Sequence, residues 1–218
     1  IVDGTELDKG LQKKNDNYLE RCYNRGTTEE YTIYHRSVLE AKIYFGNNLV
    51  ASIATEPIEN DAEYSAKKLS DEEIKQDCES KAFLRLSQKL KKAYPRLPIC
   101  ILADGLYVSE KVINRCKEYN WDYIIRYKEG SAPSIAQEYN AIPEKTKTEN
   151  AEFINGIIYK DGTVNVLKYT ETKVKKGKEI TTTFEWITSI EITEKNAVKL
   201  AGAGRKRWKI ENQGFNRQ

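Results

Sequence analysis

The sequence predicts an α/β fold: a three-layer domain with a mixed sheet, interrupted by a mostly β insertion before its last helix. Strand-like and helix-like patterns alternate over the first part of the chain in the order strand, hairpin, helix, strand, helix, strand. Three leading antiparallel strands followed by α/β units form such a domain. The pattern then becomes all-β before helical signals return. We therefore divide the chain into 1–130, the first part of the core; 131–192, a linker and β-rich insertion; and 193–218, a C-terminal helix that completes the core.

The leading strands are separated by a polar segment and a tight turn. The first strand is expected to end at Asp3, because 5–30 is polar and broken. Tyr31–Ile43 and Leu49–Glu56 then show β-rich character on either side of a Gly-Asn-Asn turn at 46–48. This pattern predicts a β-hairpin.

One long amphipathic helix is predicted over 70–94. Ser70 and Glu73 have the spacing of a capping box, and Pro95 stops the helix. Glu79, in the middle of this segment, is expected to be solvated. Apolar residues at helical spacing form the predicted buried stripe, which comprises Ile74, Cys78, Ala82, Phe83, Leu86 and Leu90.

A second predicted core strand also ends at an acid. Leu97–Ala103 is a continuous apolar run opened by Pro98, which is typical of a buried strand, and Asp104 follows it. A short helix capped by Ser109 and a strand over Trp121–Tyr127 come next.

Turn signals divide the rest of the chain. Two prolines in a polar stretch predict a linker over 131–150. In the β insertion, Asp161-Gly162 and a basic segment around Gly177 predict turns between strands. The final helix is expected to pause at Gly202 and Gly204.

Bulk composition describes a globular protein and argues against several kinds of site. Of the 218 residues, 39% are hydrophobic and 32% charged, and the net charge of +3 is too small to argue for nucleic acid by itself. No apolar run approaches the roughly 20 residues of a membrane span, and no signal peptide pattern is present. The four cysteines form no CxxC pair and His35 is the only histidine, which argues against structural zinc and fits a reduced, cytosolic setting. We expect an excised domain, because the chain has no methionine and opens within a strand.

Three acids from distant segments form the candidate site. Asp3 and Asp104 each end a predicted strand and precede a glycine. Strand ends are where open α/β sheets bind ligands, although Asp-Gly is also a turn dipeptide. Glu211 lies in a basic stretch that opens with Arg205; in a helix it would share a face with Arg207, either as part of a site or as a solvated salt bridge. Three converging carboxylates could bind two Mg²⁺ ions and support phosphoryl transfer.

The basic stretch resembles the last-acid motif of insertion-sequence DDE transposases, Y-x2-R-x3-E-x6-K. Arg207 and Glu211 match this motif and its spacing, and the residues from one to the other fit the family's usual R-W-x-I-E pattern. Two positions depart from the motif, because Gly204 stands in place of its tyrosine and Gln218 in place of its lysine.

The resemblance implies an RNase H-like fold with a mixed five-stranded sheet. Asp3 and Asp104 stand where the family has its two aspartates, and with Glu211 they would hold two Mg²⁺ or Mn²⁺ ions. The protein would cleave DNA at transposon ends and join it to target DNA. Its partner would be double-stranded DNA, bound by a homodimer in the bacterial cytoplasm, in association with the nucleoid and without membrane contact.

Five side chains are predicted to bind DNA. The resemblance implies that Arg207 grips a phosphate and that Trp186 stacks on a flipped base; the alternative for Trp186 is a core position in a small β module. Arg205 and Lys209 belong to the basic stretch, which is an electrostatic footprint for phosphate. Lys128 follows a strand near the proposed site.

Several alternatives stay open at this level. Trp208 and Trp121 are expected in the core. Lys173–Lys178 is interpreted as a solvated hairpin turn, with contact to a DNA backbone as the alternative. Two other functions are an RNase H-like nuclease of another kind, which would cut without joining, and a decayed transposase relative that only binds DNA.

Overall fold

The structure, a computed structural model, describes residues 1–47, 49–60, 78–175 and 177–208. The strands in this part of the chain are β1 Val2–Gly10, β2 Leu19–Tyr23, β3 Tyr31–Gly46, β4 Leu49–Ile58, β5 Cys100–Ala103, β6 Asp122–Arg126, β7 Thr146–Lys147, β8 Ala151–Tyr159, β9 Gly162–Lys175 and β10 Lys178–Thr188. The α-helices are α1 Glu79–Ala93, α2 Glu110–Glu118, α3 Pro133–Ala141 and α4 Ala197–Arg205. Short 3₁₀ turns occur at Gly105–Tyr107, Glu129–Ser131 and Lys206–Trp208.

The first sheet is antiparallel and is built around the long strand β3. Strand β1 pairs with one edge of β3, and β2 and β4 pair with successive stretches of the other edge. The predicted β3–β4 hairpin is confirmed. The expected end of the first strand at Asp3 is wrong, because β1 continues to Gly10 with a register shift between Glu6 and Asp8. Backbone hydrogen bonds to β3 stabilise this polar sequence in a strand conformation.

The second sheet has the order β5-β6-β10-β9-β8-β7. Strands β5 and β6 are parallel, and the remaining pairs are antiparallel. Strands β1 and β5 are in contact. Among the described residues the hydrogen-bonded ladders therefore form two sheets, of four and six strands, rather than the single five-stranded sheet that was expected. The β insertion lengthens the second sheet, because β10 pairs with β6 from Trp186 to Thr188.

Helix α1 is shorter than predicted at its N-terminal end. Cys78 has an extended backbone, so the described helix begins at Glu79, and the predicted capping box of Ser70 and Glu73 lies outside the described residues. Its end at Ala93, just before the predicted stop, is confirmed. The apolar stripe is confirmed for Ala82, Phe83, Leu86 and Leu90, which are buried, but not for Cys78, which is exposed and precedes the helix.

Three further predictions concern the other helices. The Ser109 cap of α2 is confirmed, since its hydroxyl accepts a hydrogen bond from the backbone N–H of Val112 at 3.4 Å. The segment 131–150, interpreted as a linker, instead contains α3, which buries three side chains against the core. The pause expected at Gly202 and Gly204 is absent, because α4 continues to Arg205.

Helices cover both faces of the second sheet. One core cluster contains the buried residues of α1, α2 and α3, and a second contains those of α4. Consecutive residues of the central strands alternate between the two clusters, as in the pairs Ile125 and Ile124, Val166 and Leu167, and Ile187 and Trp186. No helix in the described part of the chain has both the length and the apolar character needed to cross a membrane.

Candidate active site

A cleft of about 640 Å³ lies where β5, β6, β10 and the C-terminal end of α4 meet. Its lining combines an acid, several cations and three aromatic rings, among them Asp104, Arg126, Lys128, Phe184, Trp186, Arg205, Arg207 and Trp208. Five side chains predicted from sequence are thus brought together at one site. The predicted residues Lys209 and Glu211 lie outside the described part of the chain.

Asp3 joins this cleft through Arg207. The carboxylate is buried, with the residue 8% exposed, and Arg207 Nη1 donates a hydrogen bond to its Oδ2 at 3.1 Å. The backbone N–H of Gly4 donates to Oδ1 at 3.2 Å. A buried carboxylate needs such compensation, because an uncompensated buried charge is costly. The predicted phosphate-binding cation and the predicted first acid are therefore direct partners in this structure.

Asp104 lies at the C-terminal end of β5, at the edge where parallel strands bind ligands. Its Oδ1 accepts a hydrogen bond from the backbone N–H of Leu106 at 2.9 Å and so caps the 3₁₀ turn Gly105–Tyr107. The sequence left two interpretations of Asp104 open, a residue that starts a turn and a residue of a ligand site. Both describe the structure, because the same carboxylate caps a turn and the residue lines the cleft.

Glu79 is an acid of this region that sequence reasoning missed. Its Oε2 accepts a hydrogen bond at 2.7 Å from the hydroxyl of Tyr107, which is fully buried. The carboxylate also lies against Gly4, where an added Cβ would approach its Oε1 to 2.6 Å. Burial raises the pKa of Glu79, the hydrogen bond from Tyr107 opposes this shift, and the negative charge of Asp104 adds to it. The expectation that Glu79 is solvated is wrong.

A sequence signal for Glu79 did exist. The buried residues Ala82, Phe83 and Leu86 of α1 lie three, four and seven positions after it. Residues at this spacing share one helix face. Glu79 therefore continues the apolar stripe towards the start of α1, where the helix meets the two aspartate-bearing segments.

The donor chemistry of the site suits a hard divalent cation. Asp3 and Asp104 offer carboxylate oxygens of the kind that Mg²⁺ and Mn²⁺ prefer. Within the described residues, no group of three His, Cys, Asp or Glu side chains is arranged to hold a metal ion. The third acid predicted from the sequence, Glu211, lies outside the described residues.

The three aromatic rings that line the cleft differ in exposure. Trp186 is 1% exposed, stacks on Phe184 with ring centroids 5.9 Å apart, and packs against Gly204, where an added Cβ would lie 2.5 Å from its Nε1. The sequence left Trp186 between base stacking and a core position, and the structure places the ring in the core. Trp121 is buried as expected, whereas the core position expected for Trp208 is wrong, since that residue is 48% exposed.

Cations surround the partly buried ring of Phe184. The Arg126 and Arg205 guanidinium carbons lie 5.0 and 4.9 Å from its centroid. Arg205 also forms an ion pair with Glu171 of β9, with Nη1 and Oε2 2.5 Å apart. Lys128 lies exposed at the rim. Guanidinium groups on an aromatic face suit the binding of a nucleic acid strand, since they offer both charge and stacking surface.

A comparison with known families identifies the family of the chain. Residues 76–213 match the family model described as the transposase DDE domain. The match includes Asp104 and the basic stretch that contains Arg207, while Asp3 precedes it. No curated protein matches the chain. Because the match covers more than half of the sequence, the chain belongs to the transposase DDE domain family, whose members bind DNA and act as polynucleotidyl transferases that generally use divalent metal ions.

Proposed function

We propose that this chain is the catalytic part of a transposase that cleaves DNA at transposon ends and joins it to target DNA. The observation that carries the proposal is the cleft in which Asp104 and the Asp3–Arg207 pair lie beside cations and aromatic rings. The family match supports the same reaction class. A homodimer on paired DNA ends is the assembly we expect.

The finer fold that we propose is the RNase H-like one. Strand β3 lies between β4 and β1, strand β1 contacts β5, and β5 runs parallel to β6. The order β4-β3-β1-β5-β6 would form a mixed five-stranded sheet if β1 and β5 are taken as neighbours. Asp3 on β1 and Asp104 after β5 then lie on adjacent strands, which is the arrangement that a shared metal site needs.

The metal ligands in this proposal are Asp3, Asp104 and Glu211. Two bound Mg²⁺ or Mn²⁺ ions would activate the attacking hydroxyl and stabilise the leaving oxygen. The chain's own part is to hold the carboxylates in place. The turn capped by Asp104 fixes one of them, and the strand pairing of β1 fixes the other.

Arg207 has two successive roles in this proposal. In the structure it neutralises the buried Asp3 carboxylate. A divalent cation held by Asp3 would supply the positive charge that this carboxylate needs. The planar guanidinium of Arg207 could then bind a DNA phosphate in a bidentate manner, which a lysine cannot do.

The remaining side chains of the cleft hold the DNA strand. Lys128, Arg126 and Arg205 line the cleft and supply positive charge. Trp208 is exposed and lines the cleft, so we assign stacking on bases to it, whereas the ring of Phe184 already carries the guanidinium groups of Arg126 and Arg205. Trp186 supports Phe184 from within the core, and it would reach a base only after leaving its present position.

The test is a cleavage and strand-transfer assay on a duplex with a transposon end, with Mg²⁺ or Mn²⁺. We expect Asp104→Ala and Glu211→Ala each to abolish cleavage without loss of the circular dichroism spectrum. The control is Asp161→Ala, which removes an exposed acid from the β8–β9 turn and should leave cleavage unchanged.

Three results would decide between the alternatives. Cleavage at the wild-type rate by Asp104→Ala or Glu211→Ala would refute the assignment of the acids. A wild-type protein that cuts DNA without joining it would be an RNase H-like nuclease of another kind. A wild-type protein that binds DNA and never cuts it would be a decayed relative.

A further inference from the structure

Beyond the cleft, strands β9 and β10 continue as a two-stranded ribbon. Strand β8 pairs with β9 only as far as Tyr169, and β6 pairs with β10 only at Trp186–Thr188. Residues 171–175 and 178–182 are paired with each other, and we call them the arm. All side chains of the arm that the structure describes are exposed, apart from the partly buried Glu171. The arm buries almost no side-chain surface, so packing against the core does not explain why the two strands are this long.

The two faces of the arm differ in charge. On one face, the hydroxyls of Thr172 and Thr181 lie 3.0 Å apart across the strands. The other face carries Lys173, which lies opposite Ile180, and Lys178. Both lysine side chains are exposed, so this face offers positive charge to an anion.

The basic face of the arm begins at the wall of the cleft. Glu171 bridges the two regions: its Oε2 pairs with Arg205, which lines the cleft, and its Oε1 pairs with Lys173 of the arm at 3.0 Å. The negative charge of Glu171 is therefore already balanced, which leaves the lysines as the net charge of this face. From Glu171 to the tip at Lys175 the strand advances about 14 Å at roughly 3.4 Å per residue.

We propose that the arm is a second DNA-binding surface, which holds the backbone of duplex DNA as it leaves the cleft. This proposal rests on the proposed function for the identity of the ligand in the cleft. A two-stranded ribbon has the width that the major groove of B-DNA admits, and lysines bind phosphates as point charges without reading sequence. The arm therefore adds affinity and orientation rather than specificity.

The experiment measures affinity and its salt dependence by fluorescence anisotropy. The probe is a labelled duplex of about 30 base pairs, and a chelator prevents cleavage. For the double variant Lys173→Ala/Lys178→Ala we expect the Kd to rise about tenfold at about 0.1 M salt. The slope of log K against log salt should fall by about 2, because each phosphate contact contributes about 0.9.

Two further variants serve as controls. Lys111→Ala/Lys117→Ala removes the same charge from the exposed side of α2, away from the arm, and should leave the slope unchanged. Lys178→Ala alone leaves the Glu171 ion pairs in place, and should lower the slope by about 1. Thermal melting confirms that each variant is folded.

The proposal is overturned if the arm variant keeps the wild-type Kd and slope, or if the α2 control loses as much affinity. A wild-type protein that shows no DNA binding overturns it together with the proposed function. A cleavage assay separates the two failures. Cleavage by the wild type with arm-independent binding refutes the arm alone, whereas arm-dependent binding without any cleavage refutes the proposed reaction and leaves the arm in place.

Discussion

Asp3 and Asp104 have the same local sequence, an apolar run followed by Asp-Gly, yet they lie in different environments. Asp3 is inside a strand, buried, and balanced by a guanidinium from the far end of the described chain. Asp104 follows its strand and caps a turn through a hydrogen bond two residues away. The comparison shows that similar local sequence can place two acids at one site while long-range partners determine what each acid contributes to stability.

The largest expected effect is on the free energy of unfolding, to which Asp3 should contribute more than Asp104. Asp3→Ala leaves the Arg207 guanidinium, whose side chain is 19% exposed, without this carboxylate, and should lower the free energy of unfolding by about 3 kcal/mol. Asp104→Ala removes a cap and should cost only about 1 kcal/mol. Urea denaturation measures both.

A double-variant cycle sharpens the same prediction. If the ion pair dominates, Asp3→Ala/Arg207→Ala should cost less than the sum of the two single variants. A larger loss of stability in Asp104→Ala than in Asp3→Ala would contradict the comparison.

A smaller effect is expected at the hydrogen bond between Tyr107 and Glu79. Tyr107→Phe deletes the hydroxyl that donates to Glu79 and leaves the carboxyl half-buried, which should cost about 1.5 kcal/mol. The matched control is Tyr159→Phe. Tyr159 has no hydrogen bond of its hydroxyl among those found in the described residues, and this change should fall within about 0.5 kcal/mol. Equal losses in the two variants would show that the Tyr107–Glu79 bond contributes nothing.

The smallest effect is a dependence of stability on pH. Because the folded-state pKa of Glu79 is raised above its ordinary value of 4.5, the folded protein holds this proton more tightly than the unfolded chain. The contribution of Glu79 is fully present below about pH 4.5 and is lost as the pH rises through the folded-state pKa. Relative to Glu79→Gln, the wild type should therefore lose melting temperature across this window. A constant difference in melting temperature from pH 4 to 7 would contradict the assignment.

The predictions that succeeded rest on local physics. Turn residues and alternation located the β3–β4 hairpin, and helical periodicity with a serine cap located α2. The apolar stripe of α1 was predicted for the same reason, since burying one face of a helix imposes a period of 3.6 residues. Asp104 was singled out because it ends an apolar run, and Arg205 and Arg207 because they belong to a basic stretch; in the structure these three side chains line one cleft.

The predictions that failed depend on partners distant in sequence. Strand β1 extends to Gly10 only because β3 pairs with it. Helix α4 continues through Gly204, and the ring of Trp186 packs against that glycine, where an added Cβ would not fit. Glu79 was predicted to be solvated on a long helix, whereas Tyr107 and Gly4 lie against its carboxyl here.

By itself, the sequence determined the β3–β4 hairpin, helix α2, the two Asp-Gly segments and the basic stretch, because each depends on residues that are neighbours along the chain. Only the tertiary structure decided that Arg207 balances Asp3, that Trp186 lies in the core while Trp208 faces the cleft, and that the arm extends beyond the sheet. These features depend on which distant surfaces meet. Burial, and with it the strength of every charge interaction, exists only once those surfaces are in contact.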